Sequence, residues 1–207
     1  MADPALLLLL FLFGGKKGQQ KTKAHITTPA ELLRNATQPR AMAWVPYFAD
    51  VGETPAVADA LARWTGIESG GDPRIVSSLG ERGLLQVGKQ TQSEGGITKR
   101  DWDELVSPDT MPNEDARIAS NYWRWLLMRA TKHLASPPAE GTDSVWFAYA
   151  FHQWPKDFTE FGQLPSDAAS ASAFLSRHAT GNPKLAKRIA ASNIVAWGTP
   201  DAPIPQS

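Results

Sequence analysis

The chain has 207 residues, 42% hydrophobic and 20% charged, which suits one ordinary globular domain and excludes a largely disordered chain. Its 21 basic and 21 acidic residues balance, so charge gives no reason to expect a nucleic-acid partner. Cysteine is absent, which excludes a disulfide framework, thiol catalysis and thiolate metal sites.

The first segment, residues 1–15, contains the apolar run ALLLLLFLF from Ala5 to Phe13. As a helix this run would rise about 14 Å, half of a ~30 Å hydrocarbon core, and is too short for a complete span. Asp3 precedes the run and Lys16, Lys17, Lys21 and Lys23 come after it, the reverse of the charge order of a secretory signal. The segment is expected to anchor in a bilayer, to dock on a partner protein, or to pack on its own domain. Gly14, Gly15 and Gly18 loosen it from the rest of the chain and favour a contact outside the chain. Residues 16–40 read as a polar linker, with a helical turn starting at Thr28-Pro29 and running through Leu33.

Residues 41–200 read as a mainly α domain, with a tail at 201–207. Thr54-Pro55 marks a helix start, a capping hydroxyl before proline at the first helical position. Val57, Leu61, Trp64 and Glu68 come next at helical spacing, and Gly70-Gly71 and Pro73 end the helix. Glu68 is thereby predicted at the C-terminal end of an apolar face. Burial and the negative end of the helix dipole both disfavour its ionised form there.

A second helix is predicted from Asn113 to about His133, with Ile118, Tyr122, Trp125, Leu126 and Met128 on its apolar side. A third covers about Ser144 to Trp154 and stops at Pro155, a fourth Ala168 to His178, and a fifth Pro183 to about Trp197. Period-two alternation is hard to find, so strands are not expected. Trp64, Trp123, Trp125 and Trp146 sit among apolar residues and read mostly as core. Trp102 and Trp154 lie near helix breaks and are the better candidates for stacking on a sugar.

The stretch from Glu68 to Gln86, ESGGDPRIVSSLGERGLLQ, carries the chemistry. Glu68-Ser69, then Ser77, Gly80 and Gly83-Leu84-Leu85-Gln86, resembles the motif of the soluble lytic transglycosylases, with no insertion or deletion. In that family Glu-Ser ends a helix, Ser and Gly lie in a loop after it, and Gly-Leu-Met-Gln opens the next helix. Leu85 stands where the family has Met, a volume-conserving change. A later family landmark, Ala-Tyr-Asn, is matched by Ala148-Tyr149-Ala150. Ala150 departs from it and leaves one polar contact to be supplied. His152 and Gln153, one turn onward, are placed to supply it, as in phage-associated relatives with a His-Gln pair.

The resemblance implies a goose-lysozyme-like catalytic domain and an enzyme that cleaves peptidoglycan between N-acetylmuramic acid and N-acetylglucosamine. Glu68 is then the catalytic acid, and Ser69, Ser77, Gln86, Tyr149, His152 and Gln153 are substrate-binding or orienting residues. A carboxylic acid kept neutral by an apolar pocket can protonate a glycosidic oxygen. The family uses one glutamate as acid and then as base, and closes a 1,6-anhydro ring without a protein nucleophile, metal or water. No cofactor is implied, and four histidines without cysteine or close ligand spacing predict no metal site.

The partners expected are glycan strands, and a membrane or other virion proteins through residues 5–13. A phage virion enzyme delivered to the host periplasm during DNA entry fits the His-Gln feature; a membrane-associated periplasmic enzyme of a bacterium is the other setting. Two rival functions stay open: a goose-type lysozyme, which needs a second carboxylate to hold water, and a non-catalytic wall-binding subunit. Asp72, Glu81, Asp101, Asp103 and Asp143 are the carboxylates whose distance from Glu68 decides the first rival.

Overall fold

The computed structural model describes residues 37–160 and 162–178. The apolar run Ala5–Phe13, the turn at Thr28 and the helix expected over 183–197 lie outside them. Among the described residues the chain forms nine helices: α1 Thr37–Met42, α2 Val45–Asp50, α3 Pro55–Ser69, α4 Gln90–Ser93, α5 Lys99–Glu104, α6 Pro112–Thr131, α7 Thr142–Gln153, α8 Pro155–Glu160 and α9 Ala168–His178. Extended pairing among the described residues is limited to isolated bridges, and no helix there is long and apolar enough to cross a membrane. The domain is mainly α, as its hydrophobic spacing predicts.

Helix α7 is the centre of the packing. Every residue from Ser144 to Phe151 is buried, so this helix is apolar all round, the pattern of a helix enclosed by others. It packs against α3, α6, α8 and α9, while α1 and α2 close over α3. Trp64, Trp146, Phe48, Phe147 and Phe158 are the largest apolar side chains among its fully buried residues. Pro155 ends α7 and at once opens α8, because Trp154 leaves helical geometry (φ −137°, ψ 54°) and proline suits a first helical position.

Helix α3 has the predicted bounds. Thr54 is extended and Pro55 is the first helical residue, but the Thr54 hydroxyl makes no cap hydrogen bond, so the start depends on proline. At the other end Gly70 takes the left-handed conformation (φ 60°), and the Gly70 and Gly71 amides turn back on to the Gly66 and Thr65 carbonyls at 3.2 Å. A Cβ on Gly71 would stand 2.8 Å from Arg40 Cγ and 3.1 Å from the Ala41 backbone nitrogen. Arg40, expected in the linker, belongs to α1 and pairs with Asp72 at 3.0 Å.

One expectation from the family motif is corrected. Gly83-Leu84-Leu85-Gln86 does not open a helix; it forms a tight turn between Arg82 and Val87, which exchange backbone hydrogen bonds at 3.0 and 2.8 Å. Gly83 and Gln86 both have positive φ, at 75° and 48°, which no α-helix tolerates. The next helix, α4, begins at Gln90.

Arg74 ties this loop to the body. Its guanidinium donates to the carbonyls of Glu104, Leu105 and Thr110 and meets Asp115 at 2.5 Å, where the Asp115 side chain is 1% exposed. Removing one partner of such a pair strands a buried charge. Arg74→Met should therefore lower stability by about 3–5 kcal/mol, read as a fall in the denaturant midpoint without a change in slope. Adding Asp115→Leu should recover part of that loss.

Candidate active site

Glu68 occupies the last turn of α3 and is 13% exposed. Its position comes from the helix: Trp64, one turn earlier, is fully buried, and a side chain four residues on shares that face. The Trp64 indole donates to Glu68 Oε1 at 3.3 Å. Gln153, the last residue of α7, donates from Nε2 to the same oxygen at 2.5 Å. His152 Nε2 lies 3.8 Å from it.

These groups open on to a cavity of about 580 Å³. Its lining includes Glu68, His152 and Gln153, then Tyr122, Trp125 and Arg129 of α6, and Leu79, Glu81, Thr91 and Glu94 of the loop and the α4 region. Tyr122 and Trp125 stack with ring centres 6.0 Å apart and planes 22° apart. Arg129 lies over the Trp125 ring at 4.7 Å and pairs with Glu94.

His152 is a neutral neighbour of Glu68. Burial drives its pKa down to about 4, so the 3.8 Å contact is no ion pair near neutral pH. Its Nδ1 lies 2.8 Å from the Tyr122 hydroxyl. Burial pushes that phenol well above its ordinary range; the Thr91 hydroxyl opposes the shift, and the charges of Glu68, Glu81 and Glu94 add to it.

Of the residues singled out in the sequence, Glu68, His152 and Gln153 come together. Ala150 is fully buried in the core, and Gln153, three residues on, reaches Glu68 where the family's Asn was expected to contribute. Tyr149 packs edge-on against Trp64 at 5.7 Å and is 5% exposed. Ser69, Ser77 and Gln86 are not among the residues lining the cavity. Ser69 donates back to the Thr65 carbonyl, at 2.9 Å within its own helix. Ser77 donates to Glu81 Oε2 at 2.9 Å and accepts the Glu81 amide. Gln86 is buried and donates to the Gly83 and Ile75 carbonyls, which fixes the turn.

Trp64, Trp123 and Trp146 are buried in the core as expected, but the tryptophans nearest the cavity are not the ones expected. Trp102 is buried beneath Arg82, whose guanidinium sits 4.4 Å above its ring, and Trp154 is buried against Tyr149. Trp125, read as core, faces the cavity instead, and Met128, expected on the apolar side of α6, is 56% exposed. The signal was present: Tyr122, Trp125, Leu126 and Arg129 form one helical stripe, and an arginine ending an aromatic stripe marks a face that reaches water.

Of the candidate second carboxylates, Glu81 alone lines the cavity. Asp72 pairs with Arg40, Asp101 with Arg117, Asp103 with Lys99, and Asp143 accepts the Ala168 amide. Asp101, Glu104 and Glu114 bring carboxylate oxygens within 4.8 Å of one another, but Arg117 and Arg100 already neutralise that cluster. Comparison with protein-family models, curated proteins and solved structures finds no match to this chain.

The buried His152 has a consequence for stability. Its folded pKa, about 4, is below the 6.5 of an unperturbed histidine, so between those values only the unfolded chain binds the proton. The contribution is full above about pH 6.5 and is lost as pH falls toward 4, by roughly 3 kcal/mol in all. Denaturant midpoints measured across this range should fall steeply for the wild type, and the slope should flatten in His152→Gln.

Proposed function

We propose that this chain is a peptidoglycan lytic transglycosylase with a lysozyme-like catalytic domain. The observation that carries the reading is Glu68 itself, a mostly buried carboxyl group held by neutral N–H donors in the wall of an open cleft. It stands at the head of the sequence motif that resembles the family. A carboxyl group mostly withdrawn from water at the edge of an open cleft is placed where a general acid for glycoside cleavage would act.

In the proposed reaction Glu68 gives its proton to the oxygen joining N-acetylmuramic acid to N-acetylglucosamine. The bond from the muramoyl C1 to that oxygen breaks, its electron pair leaves with the N-acetylglucosamine, and C1 becomes oxocarbenium-like. The Glu68 carboxylate then takes the proton from the muramoyl C6 hydroxyl while O6 bonds to C1. The 1,6-anhydro ring closes, Glu68 regains its proton and no water is consumed. Trp64 and Gln153 donate to Oε1 and hold the carboxyl group in place. Trp125 and Arg129 provide the wall against which the glycan lies.

A second reading has an observation of its own. Glu81 shares the cleft with Glu68 and is held by Ser77, which is the arrangement a hydrolase could use to hold water. Digestion of Gram-negative sacculi by the full chain, with mass spectrometry of the soluble products, separates the two. Anhydromuropeptides are expected, falling at least about 100-fold in Glu68→Gln and persisting in Glu81→Gln. Reducing-end products lost in both variants would make the protein a goose-type hydrolase. No release by folded protein would make it a wall-binding subunit.

The setting we propose is a phage virion, with the apolar run Ala5–Phe13 attaching the enzyme to a membrane or a neighbouring virion protein. Finding none of the protein by proteomics of purified particles would remove that setting.

A further inference from the structure

The contact between Tyr122 and His152 has a direction, and Glu68 lies at its far end. Tyr122 is 3% exposed, and its hydroxyl has two partners, the Thr91 hydroxyl and His152 Nδ1 at 2.8 Å; Thr91 opposes the rise in the phenol's pKa, the mark of a donor to the phenol oxygen, which leaves Nδ1 to accept the phenol proton. If Nδ1 carried the imidazole proton instead, the Nε2 lone pair would face Glu68 Oε1 at 3.8 Å, acceptor against acceptor. Both neighbours therefore select one tautomer.

We propose that Tyr122 fixes His152 with its proton on Nε2, and that His152 is thereby a positioning residue for Glu68, presenting a neutral N–H to Oε1. The separation of 3.8 Å is longer than a direct hydrogen bond, and contacts of this kind tighten when substrate closes a site. Trp64 and Gln153 already donate to the same oxygen, so His152 is the third neutral donor aimed at it. The other charged groups around the cleft are Glu81, Glu94 and Arg129, and Arg129 is engaged by Glu94.

Neutrality is the point of the arrangement, and here the inference rests on the glycan-cleaving reading of Glu68. One glutamate must first lose a proton to a leaving oxygen and then recover one from a hydroxyl. An imidazolium beside it would favour the carboxylate, draw off the proton before reaction and leave a weak base afterward. A neutral N–H supports the transient carboxylate by its dipole alone, and does so without reorganising during the reaction. Tyr122 prevents His152 from turning its lone pair on to that carboxylate.

The test uses the full-length protein with 15N-labelled histidine and long-range proton–nitrogen correlation spectra. The His152 signal is identified by its loss in His152→Gln. The Nε2–H form is expected in the wild type. Tyr122→Phe keeps the ring and removes the donor; it should release His152 to a mixture of tautomers. The same variant should lower kcat on soluble glycan strands about tenfold, the scale for losing an outer partner of a working group. KM should stay within about twofold, because ground-state binding is untouched.

An Nδ1–H wild type overturns the proposal, and so does Tyr122→Phe that shifts the tautomer while kcat is unchanged. If Tyr122→Phe does not fold, the wild-type tautomer still decides. A wild-type protein that shows the Nε2–H form but cleaves no glycan overturns the reading of Glu68 and, with it, the positioning role. An active enzyme with Nδ1–H overturns the positioning role alone.

Discussion

Trp64 is the side chain on which the candidate site depends. It is fully buried and touches every part that matters: Tyr122 on α6 at 6.5 Å, Tyr149 and His152 on α7 at 5.7 and 5.8 Å, and Glu68 through its indole N–H. A buried indole N–H is costly to leave without an acceptor, and for Trp64 that acceptor is the carboxyl one turn ahead on the same helix. Core packing and site chemistry are therefore one arrangement. A shift of α6 or α7 against α3 would move the ring, and the ring would carry Glu68 with it.

The long helices were legible because each carries its own boundary chemistry. Thr54-Pro55 and Gly70-Gly71 frame α3, Pro155 stops α7, and α9 has the bounds its spacing predicts. Glu68, His152 and Gln153 were legible for a related reason, since two helix ends fix them and helix ends can be read locally. The short helices α1, α2, α4, α5 and α8 were missed because four to six residues are too few to show a period. The turn at Gly83–Gln86 was misread for a different cause. Its shape depends on the Arg82–Val87 bridge and on Arg74 reaching residues more than 30 positions away, and no local pattern encodes either. Exposure of tryptophan was likewise a tertiary matter: Trp102 lies under Arg82, while Trp125 stands on the open side of α6.

Three polar residues expected to touch substrate have bonds within the protein that shape the loop and the helix end. Ser69 bonds within α3, Gln86 bonds the turn it ends, and Ser77 bonds Glu81. Their spacing in the motif is explained by these duties as well as by any contact with sugar. Gln86 shows the point most clearly, because at φ 48° its backbone is in a conformation that a side chain other than glycine rarely adopts. Its amide offsets part of that cost by donating to the Gly83 carbonyl at 2.9 Å.

On the proposed function the cleft divides its duties between helices and loop. The helical core places the carboxyl group and its neutral donors, and none of those contacts distinguishes one glycosidase outcome from another. A protonated glutamate among N–H dipoles can start cleavage whatever group finally attacks C1. On that function the fate of the oxocarbenium centre would rest on the loop, which brings Glu81 into the same cavity. If Glu81 holds no water there, the muramoyl C6 hydroxyl is the nucleophile already attached to the reacting sugar, with the advantage in effective concentration of an intramolecular group. The step from acid to base at Glu68 then needs no further machinery. On the proposed function, the loop whose shape the sequence concealed is the part of the fold that would select between lyase and hydrolase.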